Sequence, residues 1–271
     1  MDSSGAVTGN TVKTISISRN KAPAYPPSWG GKVKDNIMDY FQFRQFTVWH
    51  DKCGMKVGTD GVLIGAWTDC ADRKRILDVG CGTGLISLMM AQRCPQAEIK
   101  AIDIDDNAVL QARENVGASG FREQIEVEKA DFTTFDDEPF DLIVSNPPFF
   151  EKMKAFTHEI KNERLIARHT DTLPFEALIR KSHTLLADNG VFSVIIPYSS
   201  AQDFISIAAM NGLYLRQRCD VRNSETKPFK RSMLAFGKTI TATSKSTLTL
   251  RTAENEYTDE YRELTKEFYI K

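Results

Sequence analysis

No stretch of the 271-residue chain is long and apolar enough to cross a bilayer, and its first residues lack the apolar core of a secretion signal. The five cysteines, at 53, 70, 81, 94 and 219, include no C-x-x-C pair. They read as free thiols of a reducing cytoplasm, not as a disulfide framework or a zinc site. The four histidines are scattered, with no H-x-x-x-H pair, so no metal is expected. Charge of one sign is missing too. The 35 Lys and Arg against 36 Asp and Glu leave a net −1, so any nucleic-acid binding has to use a local patch. No internal repeat is present. What remains is ordinary globular composition, 41% hydrophobic and 26% charged, enough for one domain with a sizeable core.

Residues 1–37 stand apart. They are rich in Gly, Ser, Asn and Pro, as in Ala22-Pro-Ala-Tyr-Pro-Pro-Ser-Trp-Gly-Gly31, and read as a flexible leader with a short strand at Thr14–Ser18. Residues 38–271 read as a single domain, with Met38 as its biological start.

Arg75-Ile-Leu-Asp-Val-Gly80 predicts a buried strand, Cys81-Gly-Thr-Gly84 a tight turn, and Leu85 to Arg93 a helix. This is the opening unit of a doubly wound sheet, whose ligands sit beyond the carboxyl ends of the strands. Gly80, Gly82 and Gly84 let backbone approach a ligand closely. Their spacing is not the dinucleotide fingerprint G-x-G-x-x-G, although phosphate and flavin sites use similar turns. The next strand, Glu98 to Asp103, ends in an acid that suits the two hydroxyls of a ribose. A helix from Asp106 to Ala118 follows, capped by Asp105. A third strand, Gln124 to Ala130, ends at Asp131, placed to accept from an adenine amino group. Taken singly, each acid is equally a helix cap or a solvated strand end.

A fourth strand, Phe140 to Ser145, delivers Asn146-Pro147-Pro148-Phe149. An exocyclic amino group on a base is a poor nucleophile because its lone pair is delocalised. The Asn146 amide oxygen and the Pro147 carbonyl would accept its two hydrogens and localise that lone pair. Asn146 precedes a proline and is kept from the helical region, and Pro147 and Pro148 have fixed φ, so the loop is preorganised. Phe149 offers a face on which a base can stack. The plainer reading is a strand-ending turn.

Asp78 followed by the glycine turn resembles the S-adenosyl-L-methionine loop of class I methyltransferases. Upstream lie Phe43-Arg-Gln-Phe-Thr-Val48, which alternates like a strand, and Lys56-Val-Gly-Thr-Asp-Gly61. Together with the loop and Asn-Pro-Pro-Phe, this element is similar to the bacterial tRNA(Val) adenine-N6 methyltransferase family, from Phe41 to at least Lys238. The resemblance implies an α/β, doubly wound, Rossmann-like seven-stranded sheet closed by a C-terminal antiparallel hairpin. It implies S-adenosyl-L-methionine as cofactor, held by Asp78, Gly80, Cys81, Gly82, Thr83, Gly84, Asp103, Asp131 and Asn146 and bordered by Lys56, Thr59 and Asp60. It implies a tRNA substrate, methylated at adenine beside the anticodon (position 37 in the family), with Asn146, Pro147, Pro148 and Phe149 as catalytic residues. Thr59 or Asp60 also reads as a helix cap. Phe149 stands where many amino-group methyltransferases carry Tyr. Asn-Pro-Pro-aromatic also serves enzymes acting on guanine N2 in ribosomal RNA and on glutamine in release factors, so both targets stay open.

Beyond Phe150, the polar stretch Glu151 to His169 carries Lys152, Lys154 and Arg168. It reads either as a mobile lid over RNA or as a solvated amphipathic segment. Leu173 to Ala187 predicts a helix, Asp188-Asn-Gly190 a turn, Val191 to Ile196 a strand and Ala201 to Met210 a helix. Leu213–Arg222 and Arg231–Lys238 predict an antiparallel pair. Across it, Arg218, Lys227, Lys230 and Arg231 outnumber Asp220 and Glu225, which fits a phosphate-binding surface. A strand or extension at Thr247–Arg251 and a helix from Asp259 close the chain. The protein is expected to be a cytoplasmic monomer.

Overall fold

The computed structural model describes residues 39–54, 56–148 and 174–270. Two short strands, β1 (Tyr40–Gln42) and β2 (Thr47–Trp49), make an antiparallel hairpin. A strand was expected over 43–48, but Phe43 to Phe46 is its turn, with the Phe43 N–H donating to the Phe46 carbonyl at 2.8 Å. The turn lets both rings enter the core, where they stack with centroids 4.8 Å apart.

Helix α1 (Thr59–Trp67) precedes the parallel units β3 (Arg75–Val79), α2 (Leu85–Arg93), β4 (Glu98–Asp103), α3 (Asp106–Gly117), β5 (Ile125–Lys129) and β6 (Phe140–Ser145). Their aliphatic runs are buried almost throughout in β3 and β6, as strands covered on both faces require. Asp105 caps α3, accepting from the N–H groups of Asn107 and Ala108. Then come α4 (Phe175–Leu185), β7 (Leu186–Pro197), α5 (Ala201–Met210), β8 (Tyr214–Ser224), β9 (Phe229–Gly237), β10 (Ser244–Arg251) and α6 (Asp259–Thr265). The sheet runs β10-β8-β9-β7-β6-β3-β4-β5. The five central strands from β7 to β5 are parallel, and β9 is antiparallel to both β7 and β8.

Among the described residues the sheet has eight strands where seven were expected. The extra one, β10, is a polar run that adds parallel to β8, from Ser244 opposite Gln217 to Arg251 opposite Ser224. Only Leu248 of it is buried; the strand or extension expected at Thr247–Arg251 is found, and the backbone ladder carries it back to Ser244. Asp188-Asn-Gly190 lies inside β7, not in a free turn. The ladder shifts there, since Phe140 faces Leu186 while Leu142 faces Val191. The extra residues are absorbed as an irregularity.

Helices α1, α2, α3 and α6 cover one face of the sheet and α4 and α5 the other, giving two apolar cores. Cys70 and Cys94 pair as a disulfide, with Cα atoms 6.5 Å apart, which corrects the expectation of free thiols for these two, while Cys53, Cys81 and Cys219 are in no disulfide. Packing of α1 on α2 brings the loop after one beside the C-cap of the other. Among the described residues no helix is long and apolar enough to cross a membrane.

Candidate active site

The loop after β3 is built so that only glycine fits it without strain. Gly80, Gly82 and Gly84 have φ of 70°, 55° and 78°, in the left-handed region. The N–H groups of Gly80 and Cys81 both donate to the Ile102 carbonyl, at 2.9 and 3.0 Å, tying the loop to β4. A Cβ on Gly80 would meet nothing within 4 Å, so the loop faces open space.

Beneath it lies Asp78, fully buried in β3. Its Oδ2 accepts from the Ser87 N–H at 3.0 Å and from Ser87 Oγ at 2.6 Å. The first-turn N–H groups of α2 have no intrahelical partner and Gly84 offers no side chain, so Asp78 caps the helix from the preceding strand. Its other oxygen, Oδ1, is buried and accepts nothing. An acceptor in that state calls for a donor from a ligand. Burial, only partly offset by the Ser87 hydrogen bonds, pushes the Asp78 carboxyl up to about 7.

Asp103, at the tip of β4, accepts the Gly82 N–H on Oδ2 at 2.9 Å and the Asp105 N–H on Oδ1 at 3.0 Å. It shapes the glycine loop, and burial raises its carboxyl above the ordinary range. Each oxygen keeps a further lone pair for a hydroxyl. Asp131 is exposed, and its Oδ1 accepts from the Thr133 N–H and Oγ1 at 2.8 and 2.7 Å. It organises the turn after β5.

A cavity of about 470 Å³ opens over the loop. Lys56, Thr59 and Asp60 line it, with Gly80, Cys81, Gly82 and Thr83, and with Asn146 and Pro147 from the end of the neighbouring strand β6. Gly84, Asp78, Asp103 and Asp131 stand outside this lining, and Pro148 is exposed beside it. Asn146 is fixed there because Ser145 Oγ donates to the Val79 carbonyl at 2.9 Å, locking the end of β6 to β3. Burial holds the Cys81 thiol well above its ordinary range.

Neither Thr59 nor Asp60 caps α1. The cap position is Gly58, with no side-chain hydrogen bond. Asp60 instead accepts from Arg231 Nε at 2.6 Å, so an arginine expected on an outer basic surface lines the cavity. Arg218 pairs with Asp220 at 2.8 Å, while Lys227 and Lys230 are exposed at the tip of the hairpin. Ser87, Ser145 and the ion pair of Asp60 carried no sequence signal as site features. Phe149, Lys152, Lys154, Arg168 and the expected lid lie outside the described residues. Among the described residues no group of three or more His, Cys, Asp or Glu is arranged to hold a metal ion.

The orphaned Asp78 oxygen, the open glycine loop and a cavity of small-ligand size fit an amino-acid-bearing nucleoside. The fold is similar to the crystal structure of a predicted O-methyltransferase from Agrobacterium tumefaciens, with a TM-score of 0.60 and 20% identity, over 77% of this chain and 96% of that one. The methyltransferase small domain family matches residues 58–202, from the Gly58 cap through β7 into α5. Fold and site thus define a class I methyltransferase, with S-adenosyl-L-methionine as the methyl donor. A Phocaeicola vulgatus protein is 48% identical over 85% of this chain and 97% of its own length. One from Photorhabdus laumondii is 40% identical over 86% and 96%. Both are named tRNA1(Val) (adenine(37)-N6)-methyltransferase, and the chain belongs to that family.

Proposed function

We propose that the protein methylates the N6 amino group of an adenine in tRNA, adenine 37 of tRNA1(Val), the substrate named for its relatives. The observation that carries this is the seating of Asn146 and Pro147 in one cavity with the glycine loop. When bound, S-adenosyl-L-methionine supplies an electrophilic methyl group on a sulfonium. Asp78 Oδ1 would accept from the ammonium end of the cofactor, Asp103 from its ribose and Asp131 from its adenine, while Lys56, Thr59 and Asp60 would border it. Asn146 Oδ1 and the Pro147 carbonyl accept the two hydrogens of the target amino group. Pro148 stiffens the loop and Phe149 stacks on the flipped base. Catalysis rests on positioning and preorganised acceptors, and the released proton leaves to water.

Lys152, Lys154, Arg168, Arg218, Lys227, Lys230 and Arg231 form the RNA-binding set in this reading. The domain begins at residue 38, after a leader, and the protein works as a metal-independent monomer in the cytoplasm. The test is incubation with S-adenosyl-L-methionine and unmodified total tRNA, followed by nucleoside mass spectrometry. N6-methyladenosine is expected. A methylated guanosine would move the enzyme to the guanine branch, and transfer only to release-factor glutamine would replace RNA with protein.

A further inference from the structure

The carboxyl edge of the sheet carries a second set of flat side chains beside the cavity. Tyr198 follows β7 directly and is 39% exposed. Its ring centroid lies 5.4 Å from that of Phe229, at 33°. The Arg218 guanidinium sits 5.4 Å from the Tyr198 ring, and the Arg222 guanidinium 5.5 Å from the Phe229 ring. Each guanidinium thus lies over one face of its ring at cation–π distance, and the two rings are tilted against each other, so rings and guanidinium groups interleave in one row.

Both arginines are held in place. Arg218 Nε donates to both Asp220 oxygens, at 2.8 and 3.0 Å. Arg222 Nε donates to Thr249 Oγ1 at 2.9 Å, and its Nη1 to the Glu225 carbonyl at 3.1 Å. The ladder shift between Val221 and Arg222 brings Phe229 opposite Arg222. The row is continuous with the reaction site, because Arg231, two residues after Phe229, pairs with Pro197 in the ladder and lines the cavity with Asn146. Two strand spacings, roughly 10 Å, separate β6 from β9. That is the reach from one splayed nucleotide to the next.

We infer that Tyr198 and Phe229, flanked by Arg218 and Arg222, form a stacking platform for an unpaired nucleotide adjacent to the target base. The inference rests on the RNA reading above. Aromatic rings interleaved with guanidinium groups suit a base and its phosphate, since rings stack on any base and arginines meet the backbone charge. The local charge leans positive, with Arg218, Arg222, Lys230 and Arg231 against Asp220, Glu225 and Asp60, the last paired with Arg231. The platform holds the loop splayed, so that the neighbouring adenine stays out of its stack and enters the cavity.

The test uses the full chain and unmodified tRNA1(Val) with 2-aminopurine immediately 3′ or, in a second arm, 5′ of the target adenine. Binding of wild type should quench the probe in one arm. Phe229→Leu, which keeps apolar bulk but removes the ring, and Tyr198→Ala should each abolish the quench and raise KM for tRNA about tenfold. The kcat at saturating tRNA and the affinity for S-adenosylhomocysteine should stay within about twofold. Phe229→Tyr should restore both readouts. The salt dependence of binding should be unchanged in the ring variants and shallower in Arg222→Ala. If wild type methylates tRNA while Phe229→Leu and Tyr198→Ala keep its KM and quench, the platform is overturned and the RNA reading survives. If wild type neither binds nor methylates tRNA, both fall together.

Discussion

Arg231 on β9 donates from Nε to Asp60 on α1 at 2.6 Å, joining residues 171 positions apart at the mouth of the cavity. Both side chains are partly exposed, at 35% and 26%, so the pair contributes no more than about 1 kcal/mol to stability. Its larger effect is to hold a guanidinium in the lining of the cavity that Asn146 also lines. Arg231→Ala should lower the melting temperature by only about 2–4 °C. It should raise KM for tRNA about tenfold and leave S-adenosylhomocysteine affinity within about twofold, as a lost phosphate contact would. A large fall in melting temperature with an unchanged KM would make the pair a brace and nothing more.

Asp78 gives the site a pH dependence whose sign follows from its burial. Its folded-state carboxyl is raised to about 7 from the ordinary 3.8. Protonation therefore favours the ligand-free fold. That stabilisation is complete below about pH 4, declines as pH rises toward 7, and is absent above it. In urea denaturation without ligand, Asp78→Asn should flatten this trend and gain on wild type between pH 5 and 8, by an amount of order a few kcal/mol. Cofactor binding runs the other way, because only the ionised carboxylate accepts well from an ammonium group. Affinity for S-adenosylhomocysteine, followed by calorimetry, should fall about tenfold per pH unit below about 7. A flat profile from pH 5.5 to 7.5 would remove Asp78 from ammonium binding.

The crossing of α1 over α2 depends on a missing side chain. A Cβ on Gly65 would lie 2.6 Å from Met89 Sδ and 3.3 Å from Met89 Cβ, and Met89 is fully buried. The thioether can turn aside, but its Cβ is fixed to the helix. Gly65→Ala should cost about 1–3 kcal/mol in urea denaturation. Met89→Ala alone should cost about 2–5 kcal/mol, and in that background Gly65→Ala should cost less than in wild type, since the two sites share one contact. A neutral Gly65→Ala would show that the helices can slide apart without penalty.

Local pattern made the central fold legible, because β3, β6 and the second half of β7 are mainly aliphatic, β4 and β5 alternate apolar with charged residues, and each ends at a turn or an acid. The glycine loop was legible because left-handed backbone at Gly80, Gly82 and Gly84 leaves few alternatives. Features that depend on distant partners were not. Asp60 reads as a cap until Arg231 is seen beside it, and Gly58 occupies the cap position instead. The Cys70–Cys94 pair depends on how α1 meets α2. Of β10, the part from Thr247 to Arg251 was legible, while Ser244 to Ser246 are exposed and polar and are held in the strand by backbone pairing to β8. Tyr198 carries no motif, and only the strand order makes it a neighbour of Phe229.

Asn146 is the sharpest test of the chemistry. It lines the cavity at the end of a strand whose last residue, Ser145, is bonded to β3, so its amide is presented by rigid backbone. A preorganised acceptor of this kind acts mainly in the transition state, when charge builds on the target nitrogen. Asn146→Ala should therefore lower kcat by about 100-fold or more while S-adenosylhomocysteine affinity and KM for tRNA stay within about threefold. Single-turnover methylation with saturating tRNA measures the chemical step directly. Asn146→Asp keeps an acceptor oxygen of similar reach but adds charge to the cavity, and it should retain more turnover than alanine. An alanine variant with the wild-type single-turnover rate would place the activation of the amino group elsewhere in the site.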